Sequence, residues 1–430
     1  MTYFTKKEKE TIGILSIGTF LEYFDFYLYF HFAASLNKVF FAASDERSAA
    51  LLTSFAFCTS YIFRPFAAIL FGYIGDKFGR KIVVNITFLL MGISCLGIFF
   101  LPSYDSIGIL ASVLITLLRA LQGISTMGEI VGGEIYLTEY LEGRKVFIGV
   151  SLLLLMCSVS CVVALYGIKF SLAGFFDWRY LFLGGLLIFL CGYFARRSLN
   201  ETSDFLKSKV ARSSDIISYD EKISLKTYVS LFFIEAIQPA MLFISVVGIN
   251  NIFKNQFGYS DADIVARNLN ATYFHILYVM LATTLFLYCN PLKIAIGRIW
   301  GGILLLLASP IILTYFNSKE MLIGIQSLWC FFFISDVSIL PLKHKNIPIH
   351  KRFMIGTIGF AFARGLVAVL TSFVLLAVEG YLGNYMMLVF GMPFAIGFYF
   401  ALIHFRELDR KNPNGLLQYY ERSNGRSSNR

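Results

Sequence analysis

Two carboxylates, Glu22 and Asp25, lie three residues apart inside the run Leu21-Glu22-Tyr23-Phe24-Asp25-Phe26-Tyr27-Leu28-Tyr29. On a helix that spacing places both on one face, near the middle of a stretch apolar enough to cross a bilayer. An ionised carboxylate facing lipid there costs on the order of 3 kcal/mol or more. The pair must therefore face the protein interior, hold a proton or meet a cation. A sheltered carboxyl that takes up and releases a proton is what proton coupling requires, and Glu22 or Asp25 is the candidate carrier. The plainer alternative is that both brace helix packing through hydrogen bonds.

A second polar stripe, Arg119, Gln122, Thr126, Glu129 and Gly133, steps by three or four along one helical face. Arg119 either anchors a solute carboxylate through its planar fork or locks its helix to the Glu22 and Asp25 acids. Arg119 and Gln122, with Tyr23, Tyr27 and Tyr29 able to stack on a quaternary amine, form the candidate substrate site. The chain has 45 Phe and 24 Tyr, so most rings serve packing or face lipid. Other ionisable residues fall inside apolar runs: Arg64, Glu134, Glu235, Asp336 and Arg364. His31 and His275 stand alone on apolar helices and read as packing residues. The acids Glu22, Asp25, Glu129, Glu134, Glu235 and Asp336 outnumber the bases Arg64, Arg119 and Arg364, so internal pairing is not expected to neutralise them all.

The elements that position these residues are membrane helices. With 430 residues, 57% hydrophobic and 15% charged, and a mean hydropathy of +0.69, the composition excludes an ordinary soluble domain. The net charge of +10 comes mostly from short segments between apolar runs, as in loops facing anionic lipid, and not from a nucleic-acid-binding surface. The seven cysteines all lie in apolar runs without a Cys-x-x-Cys pair, which indicates core packing and neither disulfides nor metal ligands. No Gly-x-x-x-x-Gly-Lys loop and no nucleophile constellation occurs, so neither an enzyme nor a nucleotide-driven pump is expected, and no cofactor or metal is called for. The polar start, Met1 to Glu10, precedes a run long enough to remain as a span, so no cleavable signal is expected.

Twelve apolar runs, from about 11–36 to about 383–405, are long enough for helices crossing roughly 30 Å of hydrocarbon. A polar stretch divides them six and six. The expected organisation is an all-α membrane protein with an N-terminal six-helix bundle (1–197), a cytoplasmic linker (198–226), a C-terminal six-helix bundle (227–405) and a polar cytoplasmic tail (406–430). With both termini cytoplasmic, most Lys and Arg fall inside.

Between the second and third runs lies Gly72-Tyr73-Ile74-Gly75-Asp76-Lys77-Phe78-Gly79-Arg80-Lys81. Its glycines let helix ends approach closely, and Asp76 can accept N–H groups at the start of the next helix or pair with a neighbouring arginine. The pattern Gly72-x-x-x-Asp76-Lys77-x-Gly79-Arg80-Lys81 resembles the loop signature of the major facilitator superfamily. The Glu22 to Phe26 run, Asn37 to Phe41 and Phe63-Arg64-Pro65 resemble that superfamily's metabolite:proton symporters, closest to the proline/betaine type. This resemblance holds over about the first 200 residues and is thinner afterwards.

The resemblance implies two six-helix bundles around a midplane site, in a bacterial inner membrane, carrying a small polar organic solute such as proline, a betaine or an organic acid with a proton. It implies a gate made by Gly72, Asp76, Lys77, Gly79 and Arg80, with Glu139 clasping Arg80. Arg64, before Pro65, is expected to brace the hairpin. Gly297-Arg298 weakly echoes the loop in the second half, with Ile294 where the acid would stand. Span five lacks the Gly-Pro-x-x-Gly-Gly stretch of many exporters, which tilts the reading to uptake. The tail lacks an apolar heptad and so lacks the coiled coil of osmosensing members. The rivals are an exporter or facilitator of the same fold and a membrane sensor without turnover.

Overall fold

The computed structural model describes residues 3–41, 61–196, 199–202, 204–206, 209, 223–316, 318–334, 337–371 and 383–425. Among these the secondary structure is helical, in the order α1 (Lys6–Phe40), α2 (Arg64–Lys77), α3 (Arg80–Phe100), α4 (Ile109–Tyr140), α5 (Lys145–Leu172), α6 (Arg179–Arg196), α7 (Leu225–Phe243), α8 (Asp261–Leu285), α9 (Pro291–Tyr315), α10 (Lys319–Phe333), α11 (Arg352–Val369) and α12 (Met386–Lys411). Short helices Tyr104–Ile107, Leu340–Lys345 and Gln418–Gly425 lie between or after them.

Local chemistry sets the helix starts. Pro65 and Pro291 occupy first-turn positions, where no amide hydrogen is needed. Asn290 accepts from the Leu292 amide, and Ser260 with Asp263 forms a capping box before α8. Pro239 interrupts the hydrogen-bond ladder of α7, which passes through a π turn at Ile244–Gly248 and continues to Phe257.

Eight of the described helices are long and apolar enough to cross a membrane: α3 to α6, the continuous α7 through Phe257, α9, α11 and α12. Large side chains such as Phe66, Leu117, Leu304 and Phe400 are more than half exposed, which suits a lipid-facing surface and not an aqueous one. In the first group α1 packs on α5, α4 and α6, and α3 on α4 and α6. In the second, α7 packs on α12 and α11, α8 on α10, and α9 on α10 and α12. The two bundles meet along α2–α11 and α5–α8.

Helix α12 runs to Lys411, beyond the expected end near 405, because the chain there folds back on the protein. Asp409 accepts the amides of Leu416 and Leu417 at 3.0 and 2.9 Å, and Leu416, Leu417 and Tyr420 are buried.

Candidate functional site

The first polar cluster joins α1 to α4. Arg119 donates from Nη1 to Asp25 Oδ2 at 3.2 Å and to Gln122 Oε1 at 2.7 Å, and Gln122 Nε2 donates to the other Asp25 oxygen. The Arg119 guanidinium lies 3.7 Å over the Tyr29 ring. Glu22 accepts instead from the hydroxyls of Thr126 and Ser125. All of these side chains are buried. Of the candidate aromatics, Tyr23 stacks on Tyr27, and the Tyr27 hydroxyl sits 3.9 Å from Cys157 Sγ. The structure thus gathers Glu22, Asp25, Arg119, Gln122 and Tyr29 into one cluster and places Tyr23 and Tyr27 in packing beside it.

The acids find more cationic partners than the count along the sequence supplies. Glu129 is clasped by Arg196 at 2.9 and 2.6 Å, with Thr87 donating to it at 3.2 Å. Lys343 bridges Glu134, at 3.2 Å, and Glu235, and His344 adds a contact to Glu134 at 2.9 Å. These cations were missed because counting along the chain puts Arg196 and Lys343 in polar boundary segments. Their long side chains reach inward, and both are almost fully buried. Among the described residues Glu22 is left as the intramembrane acid of that set with hydroxyl partners only. Asp336 lies outside the described residues. His275 meets Ser158 at 3.1 Å, and His31 meets Asn268 at 3.3 Å.

A small cavity lies where the bundles face each other, lined by Phe26 and Phe30 of α1, Tyr61, Gln238 and Phe243 of α7, and Arg364 of α11. Arg364 donates to Gln238 Oε1 at 2.6 Å. Arg64 stands at the start of α2 with its guanidinium 4.1 Å over the Tyr61 ring. Neither Gln238 nor the cavity role of Phe26 and Phe30 was legible from spacing, since nothing in sequence says which face of α1 or α7 meets the other bundle.

On the face that carries the 72–81 loop, the bundles are tied together. Arg80 forms a two-pronged pair with Glu139, at 3.2 and 2.9 Å, and also donates to the carbonyls of Gly75 and Ile349. Arg352 reaches the same Glu139 carboxylate at 3.1 Å, and Thr202 donates to it. Asp76 pairs with Arg80 at 3.3 Å and accepts the amides of Phe353 and Met354 at 3.1 and 2.9 Å. These amides begin α11 of the opposite bundle, not the helix that follows Asp76 in sequence. An acid at a helix N-terminus satisfies donors that have no intrahelical partner and complements the dipole.

Glu201 does the same for α3, accepting the amides of Arg80 and Lys81. Gly79 is held at φ 126°, and a Cβ there would sit 2.2 Å from Glu201, so glycine is required by backbone and by space. Gly72 has its own constraint, because a Cβ would lie 2.7 Å from the Met354 Cα of α11. Lys77 stays at the surface against Tyr73.

Two helical bundles meeting at a buried cavity, latched on one face by ion pairs, define the major facilitator fold. Among solved structures, the proton:xylose symporter XylE bound to 6-bromo-6-deoxy-D-glucose aligns with a TM-score of 0.76 at 17% identity, over 93% of this chain and 96% of that one. FucP, a transporter of the same superfamily in the outward conformation, aligns with a TM-score of 0.67 at 12% identity, over 94% and 99%.

The family described as "Sugar (and other) transporter" matches residues 11–224. A putative proline/betaine transporter of Staphylococcus aureus (strain COL) is 36% identical over 208 residues, 46% of this chain and 45% of that protein. The proline/betaine transporter of Escherichia coli (strain K12) is 34% identical over 206 residues, 46% and 41%. The match thus spans less than half the length of these curated relatives. The first half of the chain resembles the sugar (and other) transporter family, and over nearly its whole length the fold is that of the major facilitator transporters.

Proposed function

We propose that this chain is a secondary active transporter that brings a small polar organic solute inward together with a proton, rocking its bundles about the central cavity. The 72–81 face is cytoplasmic in this reading, with both termini on that side. The observation that carries it is the latch: Asp76, Arg80 and Glu139 hold the opposite bundle through Arg352, Phe353, Met354 and Ile349, and all of these contacts must break before the cavity opens to that face. A transport cycle needs a two-state element of that kind, whose contacts exist in one state and not the other.

Glu22 is the proton carrier in this scheme. Its hydroxyl partners can donate to a carboxylate or accept from a carboxylic acid, so it changes protonation without stranding a partner. Asp25, clamped by the Arg119 guanidinium, fixes α1 to α4. The relatives named as proline/betaine transporters and the proton symporter among the solved structures support a proton-coupled organic-solute carrier. The test is accumulation by the purified chain in vesicles under an imposed inward proton gradient, with proline, glycine betaine and succinate as probes. Uphill accumulation of one of them, abolished by a protonophore, supports the proposal; accumulation unaffected by the gradient overturns it in favour of a facilitator.

A further inference from the structure

We infer that the outer surface of the bundles seats two anionic phospholipids, one beside the start of α1 and one beside the start of α7, each with an acyl chain in an apolar groove and its phosphate on a lysine at the mouth. The first groove, of about 370 Å³, runs between α1, α5 and α6, with Lys9 at one end and Ile12, Gly13, Ser16 and Ile17 along α1. The second, of about 400 Å³, runs between α7 and α12, with Lys226 at one end and Val229, Ser230 and Phe233 along α7. Apart from the lysine and one serine in each, both linings are apolar.

The two grooves repeat one pattern. Helix α1 opens the first group of helices and α7 the second, and in each the lysine is followed at three and four residues by an aliphatic and a small residue: Lys9, Ile12 and Gly13, then Lys226, Val229 and Ser230. That spacing keeps each trio on one helical face. Both mouths also open on the face that carries the 72–81 loop. Glu8, next to Lys9, pairs at 2.9 Å with Lys145, a few residues after Glu139. Thr227, next to Lys226, meets His404 near the end of α12 at 2.9 Å, and the segment after α12 offers the Tyr419 carbonyl to Arg144, beside Lys145.

Depth and charge identify the occupant. Lys9 to Phe20 covers about 16 Å of helix at 1.5 Å per residue. One leaflet of a hydrocarbon core roughly 30 Å thick has about that depth. Helices α5, α6, α7 and α12 are long and apolar enough to span, so lipid tails are the solvent these grooves meet. A Cβ at Gly13 would touch nothing within 4 Å, so the floor of the first groove is open space.

A lysine at the headgroup end favours an anionic lipid over a neutral one. Lys9 is exposed and stands outside the Glu8–Lys145 pair, and exposed Lys6 and Lys7 on the same turn outnumber exposed Glu10. Lys226 lies 3.8 Å from Glu407 with both side chains more than half exposed, a contact worth little that a phosphate can replace. This assignment goes beyond the carrier reading and holds equally for a facilitator or a sensor.

The test titrates the full chain, delipidated in detergent, with phosphatidylglycerol or with phosphatidylcholine of the same acyl chains, and counts bound lipid by native mass spectrometry. Wild type takes up two phosphatidylglycerol molecules about fivefold or more tighter than phosphatidylcholine, and Lys9→Gln and Lys226→Gln each weaken one of them by about fivefold. Gly13→Leu and Val229→Trp fill the grooves, and each removes one tightly held lipid. Val229 is 46% exposed and Gly13 borders open space, so neither filling residue enters the core. The two Gln variants alter exposed side chains and carry the test if a filled variant does not fold. Equal affinity for the two lipids, a phosphatidylglycerol preference that survives the double Gln variant, or a lipid count unchanged in both filled variants would each overturn the inference. A filled variant that changes the oligomeric state and not the lipid count would also overturn it, assigning that groove to a second copy of the chain.

Discussion

Arg119 and Asp25 meet at 3.2 Å across the α1–α4 contact, and one helical turn away Glu22 meets only hydroxyls. Two acids three residues apart therefore have different electrostatic surroundings, and from that difference their roles divide.

Glu22→Gln keeps the shape and the hydroxyl contacts but cannot carry a proton. It should abolish gradient-driven accumulation while leaving exchange of labelled for unlabelled solute across the membrane within about threefold of wild type. Exchange and accumulation falling together would assign Glu22 to solute binding or folding.

Asp25→Asn leaves a buried guanidinium without its counter-charge, which should destabilise the protein by about 3–5 kcal/mol. The double variant Asp25→Asn, Arg119→Met removes both charges and should recover much of that loss. Chemical unfolding in detergent followed by tryptophan fluorescence measures both, and additive losses would mean that the two residues do not act as a pair.

The latch gives a kinetic prediction. Asp76→Asn weakens the hold on the Phe353 and Met354 amides and removes the charge facing Arg80. Turnover should drop by about tenfold while solute affinity changes less than twofold. Gly72→Ala should act in the same direction, because its Cβ would press on the Met354 backbone and hold α2 away from α11. An unchanged turnover in both variants would remove the latch from the cycle.

Gly18 on α1 makes room for the Arg196–Glu129 pair, since a Cβ there would lie 1.7 Å from Arg196 Nη2 and 2.3 Å from Glu129 Oε2. Gly18→Ala should therefore cost about 3 kcal/mol, the scale of breaking a buried pair. A thermal midpoint equal to that of wild type would show that the pair can shift aside without loss.

The helices and the loop signature were legible because each is written in local sequence: apolar length, and glycines beside charges. The Arg80–Glu139 contact was legible only through the resemblance, since 59 residues separate its partners. What could not be read was which buried charge finds which partner. Lys343 lies in a segment that looks like a polar loop, yet it sits between Glu134 and Glu235 from different bundles. That arrangement depends on tertiary placement and on a flexible side chain, neither of which leaves a periodic trace. The same holds for Asp76, whose N–H donors come from α11, some 277 residues away.

The most direct test of coupled transport is the lumenal pH of proteoliposomes loaded with a pH-sensitive dye when succinate, proline or glycine betaine is added outside. Proton-coupled uptake requires the lumen to acidify with the solute that accumulates, and to stay at constant pH with Glu22→Gln. Solute entry without any change in lumenal pH in the wild-type protein would contradict it.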